Sequence, residues 1–322
     1  MTTSSAMMKK IEQYLEHRHS LGYKLETDAW LLRSFGRYAG LHMPAGPLTV
    51  DLALRWATSP AGTKRISHAN RLRVLRSFSR YLAVFDPRTE IPPRRLLGPT
   101  GTRVPPYIYT RREIAALIHA TLTYRPSRRH DHYRCQQHAT IIGLLACTGM
   151  RIGEVLALKN RDVDLNQNVI TVHQSKNLPM RLVPISDSAS RHLQQYRKVR
   201  DQRFGNSDDS EAFIRSLYRG HVSYVSVRKA FRRSRKRVGL GDAARRKPRL
   251  HDLRHTFACN HLLRAYRENR NIDNAVHDLS IYLGHAKLAK TYWYLSAVPA
   301  LLKLCSKRSE AQGLQLRKGG LP

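Results

Sequence analysis

The amino-acid sequence predicts a mostly α-helical protein with one small antiparallel sheet, divided into two domains. Apolar residues recur at helical spacing along most of the 322 residues, which is typical of amphipathic helices. Residues 169–185 change instead to an alternation with period two around a turn, which indicates a β-hairpin. A stretch rich in proline and glycine predicts an interdomain linker at residues 89–108.

Residues 1–88 are predicted to form a helical domain. The first helix ends near residue 21, the second covers about residues 26–38, the third starts near residue 50 and the fourth covers about residues 62–85. On the second helix, Trp30, Leu31, Phe35 and Tyr38 are predicted to share one buried stripe.

The fourth predicted helix carries a run of positive charge with no carboxylate between residues 64 and 80. The basic residues are Lys64, Arg65, Arg71, Arg73, Arg76 and Arg80. Such a run is usually a solvated helix face. Because no acid accompanies it here, we predict that it contacts the phosphate backbone of DNA.

The second domain is predicted to cover residues 109–308, with a flexible tail at residues 309–322. Thr110 and Glu113 have the spacing of a capping box, which predicts a helix start. His130, His132, Cys135 and His138 follow as one short tract. Zinc sites usually draw on two separated ligand pairs, so we predict no metal site here.

An arginine at a helix start is the first candidate for chemistry. The apolar run up to residue 147 breaks at Gly149, and a new helix starts at Arg151 with Glu154 three residues on. An arginine between apolar runs is poorly solvated and needs an anionic partner, for which Glu154 is the first candidate and a phosphate supplies the rest. Lys176 lies in the turn of the hairpin that follows. A loop lysine is ordinarily only a solubilising charge, and its position after the arginine singles it out.

Residues 222–238 predict a helix that is too basic to be wholly buried. It contains no acid, and its basic residues are Arg228, Lys229, Arg232, Arg233, Arg235, Lys236 and Arg237. We expect this helix to lie on DNA, in or along the major groove.

The segment from residue 249 to residue 295 offers four groups suited to phosphodiester chemistry. His251 and Arg254 are three residues apart and share one helix face, and His285 precedes Tyr294 by nine residues. An arginine, two imidazoles and a phenol are what a protein needs to attack a phosphodiester with its own nucleophile. Tyr292 competes for that role from the sequence alone.

The charge balance restricts the partners. Lys and Arg number 57 against 23 Asp and Glu, a formal charge of +34, which repels itself in any compact fold. A polyanionic partner is therefore expected. The basic residues run through the whole chain instead of one amphipathic helix, which favours nucleic acid over a membrane surface.

The remaining composition predicts a cytoplasmic, nucleoid-associated protein without a membrane segment. The four cysteines form no C-x-x-C pair, which favours a reducing compartment. The N-terminus has no apolar signal core, and no apolar run reaches the ~18 residues of a membrane span.

Five motifs in order resemble the tyrosine recombinases, the family of phage integrases, Xer-type resolvases and transposon recombinases. They are T-G-M-R-I-G-E, H-Q-S-K-N-L-P-M-R-L-V-P-I, H-D-L-R-H-T-F-A, L-G-H-A and a tyrosine nine residues after that histidine. The resemblance covers about residues 110–304. The resemblance implies a two-domain C-clamp. Its parts are an α-helical, SAM-like core-binding domain and a mixed α/β catalytic domain.

The resemblance also implies a role for each matching residue. Tyr294 is the implied nucleophile, and Arg151 and Arg254 hold the non-bridging oxygens of the scissile phosphate. Lys176 protonates the 5′-hydroxyl leaving group. The supporting roles are proton transfer by His251, a phosphate hydrogen bond from His285 and positioning by Glu154. The phosphotyrosyl ester conserves the energy of the broken bond, so neither a cofactor nor a metal is expected.

The implied partner is double-stranded DNA with an inverted-repeat core site. A dimer on each site and a homotetramer on two sites exchange strands through a Holliday junction in this family, sometimes with an accessory DNA-binding protein. Integration, excision and cointegrate resolution for a mobile element all stay open. So do a type IB topoisomerase and a non-catalytic DNA-binding accessory protein. A C-terminal helix at residues 297–304 is expected, packing on its own or a neighbouring protomer.

Overall fold

The computed structural model describes residues 4–42, 46–98, 105–124, 132–175, 178–217, 221–242, 247–285 and 288–297. The chain forms two compact units, Met1–Val104 and Pro105–Pro322. The described residues are mostly helical, with one small antiparallel sheet. The predicted fold class is confirmed.

The first unit contains four helices in its described residues. They are α1 (Ser4–Ser20), α2 (Glu26–His42), α3 (Val50–Thr58) and α4 (Arg65–Leu82). The hydroxyl of Thr49 caps α3 by accepting a hydrogen bond from the Leu52 amide at 3.2 Å. The large buried side chains of Phe35, Trp56 and Phe78 lie in one hydrophobic core. The four predicted helices are confirmed, with α4 shorter at both ends than predicted.

The prediction for Trp30 is wrong. Its side chain is 62% exposed, whereas Leu31 and Phe35 are buried. Consecutive helical residues are about 100° apart around the axis, so the stripe centred on Leu31 and Phe35 leaves Trp30 on its flank.

In its described residues, the second unit contains eight α-helices, one short 3-10 helix (Asn160–Asp162) and three strands. They are α5 (Arg111–Leu122), α6 (His132–Thr148), α7 (Ile152–Ala157), β1 (Val163–Asp164), β2 (Val169–Ser175), β3 (Leu178–Pro184), α8 (Asp187–Phe204), α9 (Tyr224–Arg237), α10 (Leu250–Arg267), α11 (Ile272–Leu283) and α12 (Ala289–Ala297). The predicted capping box is present, because Thr110 and Glu113 exchange hydrogen bonds at the start of α5. The C-terminal helix expected at residues 297–304 falls almost entirely outside the described residues.

The three strands pair antiparallel in the order β1-β2-β3, which confirms the predicted hairpin. The register sets Val172 opposite Arg181, and Ile170 and Val183 face the core. Residues 176 and 177 connect β2 to β3 and lie outside the described residues, so the structure does not describe Lys176.

Two hydrophobic clusters stabilise the second unit. The larger one joins α5, α6, the sheet, α8 and α9. The smaller one holds α10, α11 and α12 together, through side chains such as Leu262, Val276, Leu279 and Tyr294. In the part of the chain that the structure describes, none of the helices combines the length and apolarity needed to cross a bilayer.

Candidate active site

The turn between α6 and α7 places Arg151. Gly149 has φ +62°, and a Cβ atom there would lie 2.6 Å from Cδ1 of Phe257, so this position requires glycine. Arg151 precedes the first residue of α7. The carboxylate of Glu154 accepts hydrogen bonds from the backbone amide and from Nη1 of Arg151, each at 2.8 Å.

Arg254 is a buried cation on α10. Its side chain is 2% exposed and donates to the carbonyl oxygens of Gly149 and Leu283, each at 2.6 Å. Within the described chain it has no carboxylate hydrogen-bond partner. Burial, and then the charge of Arg151, lowers the pKa of Arg254 to about 10, which leaves it protonated at neutral pH. A guanidinium in this state is prepared to receive an anion.

The C-terminus of α11 orients both arginines. Gly284 is left-handed with φ +63°, and the amide of His285 bonds to the carbonyl of Ser280, as in a Schellman motif. The last carbonyls of a helix have no intrahelical donor and carry partial negative charge. Leu283 offers its carbonyl to Arg254, and Gly284 offers its carbonyl to Nη2 of Arg151 at 2.9 Å.

Tyr294 lies among histidine rings. Its side chain is 3% exposed, and its ring centroid lies 6.2 Å from that of His285 and 5.4 Å from that of His255. His255 in turn packs edge-on against His251, with centroids 4.7 Å apart. A hydrogen bond of 2.8 Å between Nδ1 of His285 and the buried hydroxyl of Thr291 fixes the His285 ring.

His251 is neutral at neutral pH. It lies in the first turn of α10 and keeps contact with solvent. Partial desolvation, and then the charges of Arg254 and Arg249, lower the pKa of His251 below its ordinary value near 6.5. A neutral imidazole beside two guanidiniums can accept a proton.

Two other tyrosines of this region, Tyr292 and Tyr282, make different contacts from Tyr294. Tyr292 is 43% exposed, and its hydroxyl donates to Asp273 at the start of α11 at 3.0 Å. That hydrogen bond raises the pKa of Tyr292, which weakens it as a nucleophile. Tyr282 stacks on Phe257 with centroids 5.4 Å apart, as expected for a packing residue.

Sequence reasoning missed Arg181 as a member of this site. Its side chain on β3 is 8% exposed and donates to both oxygens of Glu154, at 3.1 and 2.6 Å. The signal in the sequence was an arginine where β3 faces the core, at a position that alternation assigns to an apolar residue. Such a residue needs a buried acid as its partner.

Four arginines of α4 are bonded within the first unit, whereas Arg80 is exposed. Arg71 stacks on Trp56, and Arg73 donates to Asp28 at 2.9 Å. Arg76 donates to the carbonyls of Pro92 and Pro93, at 2.7 and 2.6 Å. Arg65 likewise donates to the carbonyl of residue 97, which lies in the same segment as Pro92 and Pro93. Arg65 and Arg76 thus fasten residues 92–97 to α4, whereas Lys64 is exposed.

On α9, the predicted contact residues separate into two groups. Arg228, Lys229 and Arg232 are exposed. Arg233 instead lies over the ring of Tyr124, with its guanidinium carbon 3.5 Å from the centroid. Arg235 is buried and donates to a backbone carbonyl. The first three form a basic face that is open to a polyanion.

The His/Cys tract serves packing where it is described. Nε2 of His138 hydrogen-bonds with Ser226, and Cys135 contacts the carbonyl of Tyr124. His132 is exposed at the start of α6, and His130 lies outside the described residues. Across the described ranges, no three His, Cys, Asp or Glu residues come together in a group that could hold a metal ion.

Comparison with known proteins identifies the family. The profile of the phage integrase family matches residues 109–299. The putative integrase/recombinase y4rB of Sinorhizobium fredii is 34% identical over 308 residues, which cover 95% of this chain and 98% of that protein. Tyrosine recombinase XerA of Thermococcus kodakarensis is 25% identical over 315 residues, 96% of this chain and 97% of that protein.

A solved structure of the integrase of transposon Tn1549, in complex with transposon right end DNA, has the same fold. Its TM-score is 0.67 at 18% identity, covering 98% of this chain and 100% of that chain. The family profile and the full-length relatives extend well beyond the separate motifs. The chain belongs to the phage integrase family of tyrosine recombinases.

Proposed function

We propose that this chain cuts and rejoins duplex DNA at specific sites through a 3′-phosphotyrosyl bond to Tyr294. Membership of the family indicates a site-specific DNA recombinase. The proposal that Tyr294 attacks the DNA is based on the surroundings of Arg254. Arg254 is a buried guanidinium that is held by two carbonyls, has no carboxylate hydrogen-bond partner in the described chain, and lies near Arg151 and Tyr294. An anion site beside a tyrosine suits attack on a phosphodiester.

The two guanidiniums stabilise the charge that develops on the phosphate. Each terminal nitrogen of a guanidinium carries two N–H groups, so a hydrogen bond to a carbonyl leaves a second donor on the same nitrogen of Arg254. The pentacoordinate transition state concentrates negative charge on the non-bridging oxygens, where two-pronged donors act best. Removing one preorganised donor of this kind commonly costs about 10²–10³ in rate.

The chemical step replaces one phosphodiester bond of the DNA with a phosphotyrosyl bond. The hydroxyl oxygen of Tyr294 attacks phosphorus, the bond from phosphorus to the 5′-oxygen breaks, and the leaving oxygen takes a proton. His251 is neutral and suited to accept the proton of the tyrosine. By family resemblance, Lys176 supplies the proton to the 5′-oxygen. Attack by the 5′-hydroxyl of a partner strand reverses the step, so no external energy source is needed.

Tyr294 is favoured over Tyr292 by its surroundings. Tyr294 lies between His285 and His255, whereas Tyr292 points to Asp273. Because Tyr294 is 3% exposed while the side chain of Arg151 is 38% exposed, a phosphate reaches the arginine first. We infer that bound DNA shifts α12 and so brings the hydroxyl of Tyr294 to the phosphorus.

The exposed basic face of α9 is proposed to bind the DNA. Arg228, Lys229 and Arg232 offer charge to phosphates and donors to base edges. Lys64 and the exposed arginines of α4 are proposed as secondary phosphate contacts. On an inverted-repeat core site we propose one dimer, with two sites forming a tetramer that exchanges strands through a Holliday junction.

A mobile element is the proposed setting. One curated relative is named an integrase/recombinase, and the integrase of similar fold was solved on the end of its transposon. Sequencing the genomic DNA that becomes covalently attached to the protein in its host tests this. Attachment at the ends of a mobile element supports the role. Attachment at one chromosomal resolution site contradicts it.

Covalent capture tests the function itself. The captured sequence is rebuilt as a nicked duplex whose short 5′-hydroxyl fragment diffuses away after cleavage, which traps the covalent complex. We expect a complex with wild-type protein and with Tyr292→Phe, and none with Tyr294→Phe. Relaxation of supercoiled plasmids of any sequence would indicate a topoisomerase instead. Binding without covalent capture would indicate an accessory protein.

A further inference from the structure

The carboxylate of Glu154 is shared by two guanidiniums. Oε1 accepts from Nη1 of Arg151 at 2.8 Å and from Nη1 of Arg181 at 3.1 Å. Oε2 accepts from the backbone amide of Arg151 at 2.8 Å and from Nη2 of Arg181 at 2.6 Å. An ionised carboxylate offers about four acceptor positions, so these four donors saturate Glu154.

Arg181 contributes to this arrangement without reaching solvent. Its side chain is 8% exposed, and that of Glu154 is 7% exposed. In the described chain, Glu154 is the only hydrogen-bond acceptor of Arg181, whose Nε is buried without a partner. Burial raises the pKa of Glu154, but the hydrogen bonds from Arg181 and Arg151 outweigh it and keep the carboxylate ionised. Arg181 is therefore too enclosed to bind DNA directly.

Because Arg181 shares Glu154, it determines which acceptors the N–H groups of Arg151 bond to. At present Nη1 of Arg151 bonds to Glu154 and Nη2 bonds to the carbonyl of Gly284, which spreads the guanidinium between two elements. Without Arg181, two acceptor positions of the carboxylate become vacant. A lone arginine and carboxylate prefer the two-pronged pairing. Arg151 would then turn both terminal nitrogens to Glu154 and form a neutral pair.

The net charge of Arg151, Arg181 and Glu154 gives a second reason why Arg181 keeps Arg151 available to a phosphate. With both arginines present, Glu154 compensates one of two positive charges, and a net charge of +1 remains beside Arg254. With Arg151 alone, the pair is neutral and attracts a phosphate less. The second guanidinium thus preserves both the direction and the charge of the first.

We propose that Arg181 is a positioning residue that saturates Glu154 and thereby keeps Arg151 available to the scissile phosphate. The inference rests on the proposed function, in which Arg151 binds that phosphate. It assigns to β3 a part in catalysis that is separate from the hairpin turn. Arg181 acts through Glu154 and touches no reacting atom.

The test compares two substrates at saturating DNA. One is the nicked duplex with its normal scissile phosphodiester, and the other carries a methylphosphonate there, which lacks one anionic oxygen. By analogy with supporting residues at metal sites, we expect Arg181→Met to slow covalent capture of the phosphodiester on the order of 10- to 100-fold. On the methylphosphonate, the ratio of wild-type to variant rates should fall toward one, because less charge needs compensation. Arg181→Lys keeps the charge but not the two-pronged geometry, so it should recover part of the rate.

Arg200→Met is the matched control. Arg200 is a buried arginine of the same unit that pairs with Asp201 and contacts none of the site residues. It should lower thermal stability without changing the ratio between the two substrates. If Arg181→Met does not fold, the same comparison is made with Arg181→Lys.

Two results overturn the inference. One is an Arg181 variant that captures the phosphodiester at the wild-type rate. The other is an equal loss on both substrates, as general destabilisation would produce. Failure of wild-type protein to form any covalent complex is a different result, since it overturns the proposed function.

Discussion

Replacing Arg254 by methionine should abolish most of the chemistry at little cost in stability. The substitution removes two hydrogen bonds to carbonyls, those of Gly149 and Leu283. Hydrogen bonds from a charged donor contribute roughly 1.5–3 kcal/mol each, a loss of about 3–6 kcal/mol. It also removes a buried charge.

The removal of that charge offsets much of the loss. Burial and Arg151 lower the pKa of Arg254 to about 10, which corresponds to roughly 3 kcal/mol of destabilisation of the charged form. The net cost of the substitution is therefore about 0–3 kcal/mol. The rate of covalent capture should fall about 10²–10³-fold, because a preorganised contact to the developing phosphate charge is lost.

Two assays on the same preparation separate these effects. Chemical denaturation measures the free energy of unfolding, and capture on the nicked duplex measures the rate. Arg200→Met should show the opposite pattern, a loss of stability with capture retained per folded molecule, because Arg200 bonds to Asp201, to Asn160 and to the carbonyl of Phe213 and to no residue of the site. Capture by Arg254→Met within about threefold of wild type would refute the assignment of Arg254 to the phosphate site.

Three further predictions concern His251, the basic face of α9 and the arginine contacts of α4. The lowered pKa of His251 predicts a rate that is constant near neutral pH and declines below pH 6.5, as the imidazole gains a proton. His251→Gln should remove that decline in a pH profile, and an unchanged profile contradicts the role. Arg228→Ala should weaken DNA binding and lower the slope of log affinity against log salt by about one. Arg233→Ala should mainly lower thermal stability, because Arg233 lies on Tyr124. Equal salt slopes for both variants would contradict the basic face on α9. Arg76→Ala should release Pro92 and Pro93 and make residues 92–97 more sensitive to proteases, with little effect on the salt slope of DNA binding. A protease pattern like that of wild type would show that Arg76 does not fasten residues 92–97.

The helices and the hairpin follow from local signals in the sequence. Thr110 and Glu113 satisfy each other within one turn, and the alternation around residues 169–185 is a property of neighbouring residues. The motifs containing Arg151, Arg254, His285 and Tyr294 are also local, so those residues could be named before their arrangement was known. Their roles remain predictions that the experiments above test.

Interactions between distant segments could not be read from the sequence. Arg181 and Glu154 are 27 positions apart, and only the antiparallel register brings β3 to α7. Residues 92–97 return along α4 and present carbonyls to Arg76, so a charge run that looks solvated is partly internal. Trp30 shows the limit of periodicity, because an apolar side chain on the flank of a helix fits the pattern and still faces solvent.

Mapping the covalent bond to DNA identifies the nucleophile itself. The wild-type protein is trapped on its nicked duplex, digested with protease and nuclease, and the peptide that carries the nucleotide is sequenced by mass spectrometry. We expect the 3′-phosphate to be attached to Tyr294. A nucleotide on Tyr292, or on any other residue, would contradict it.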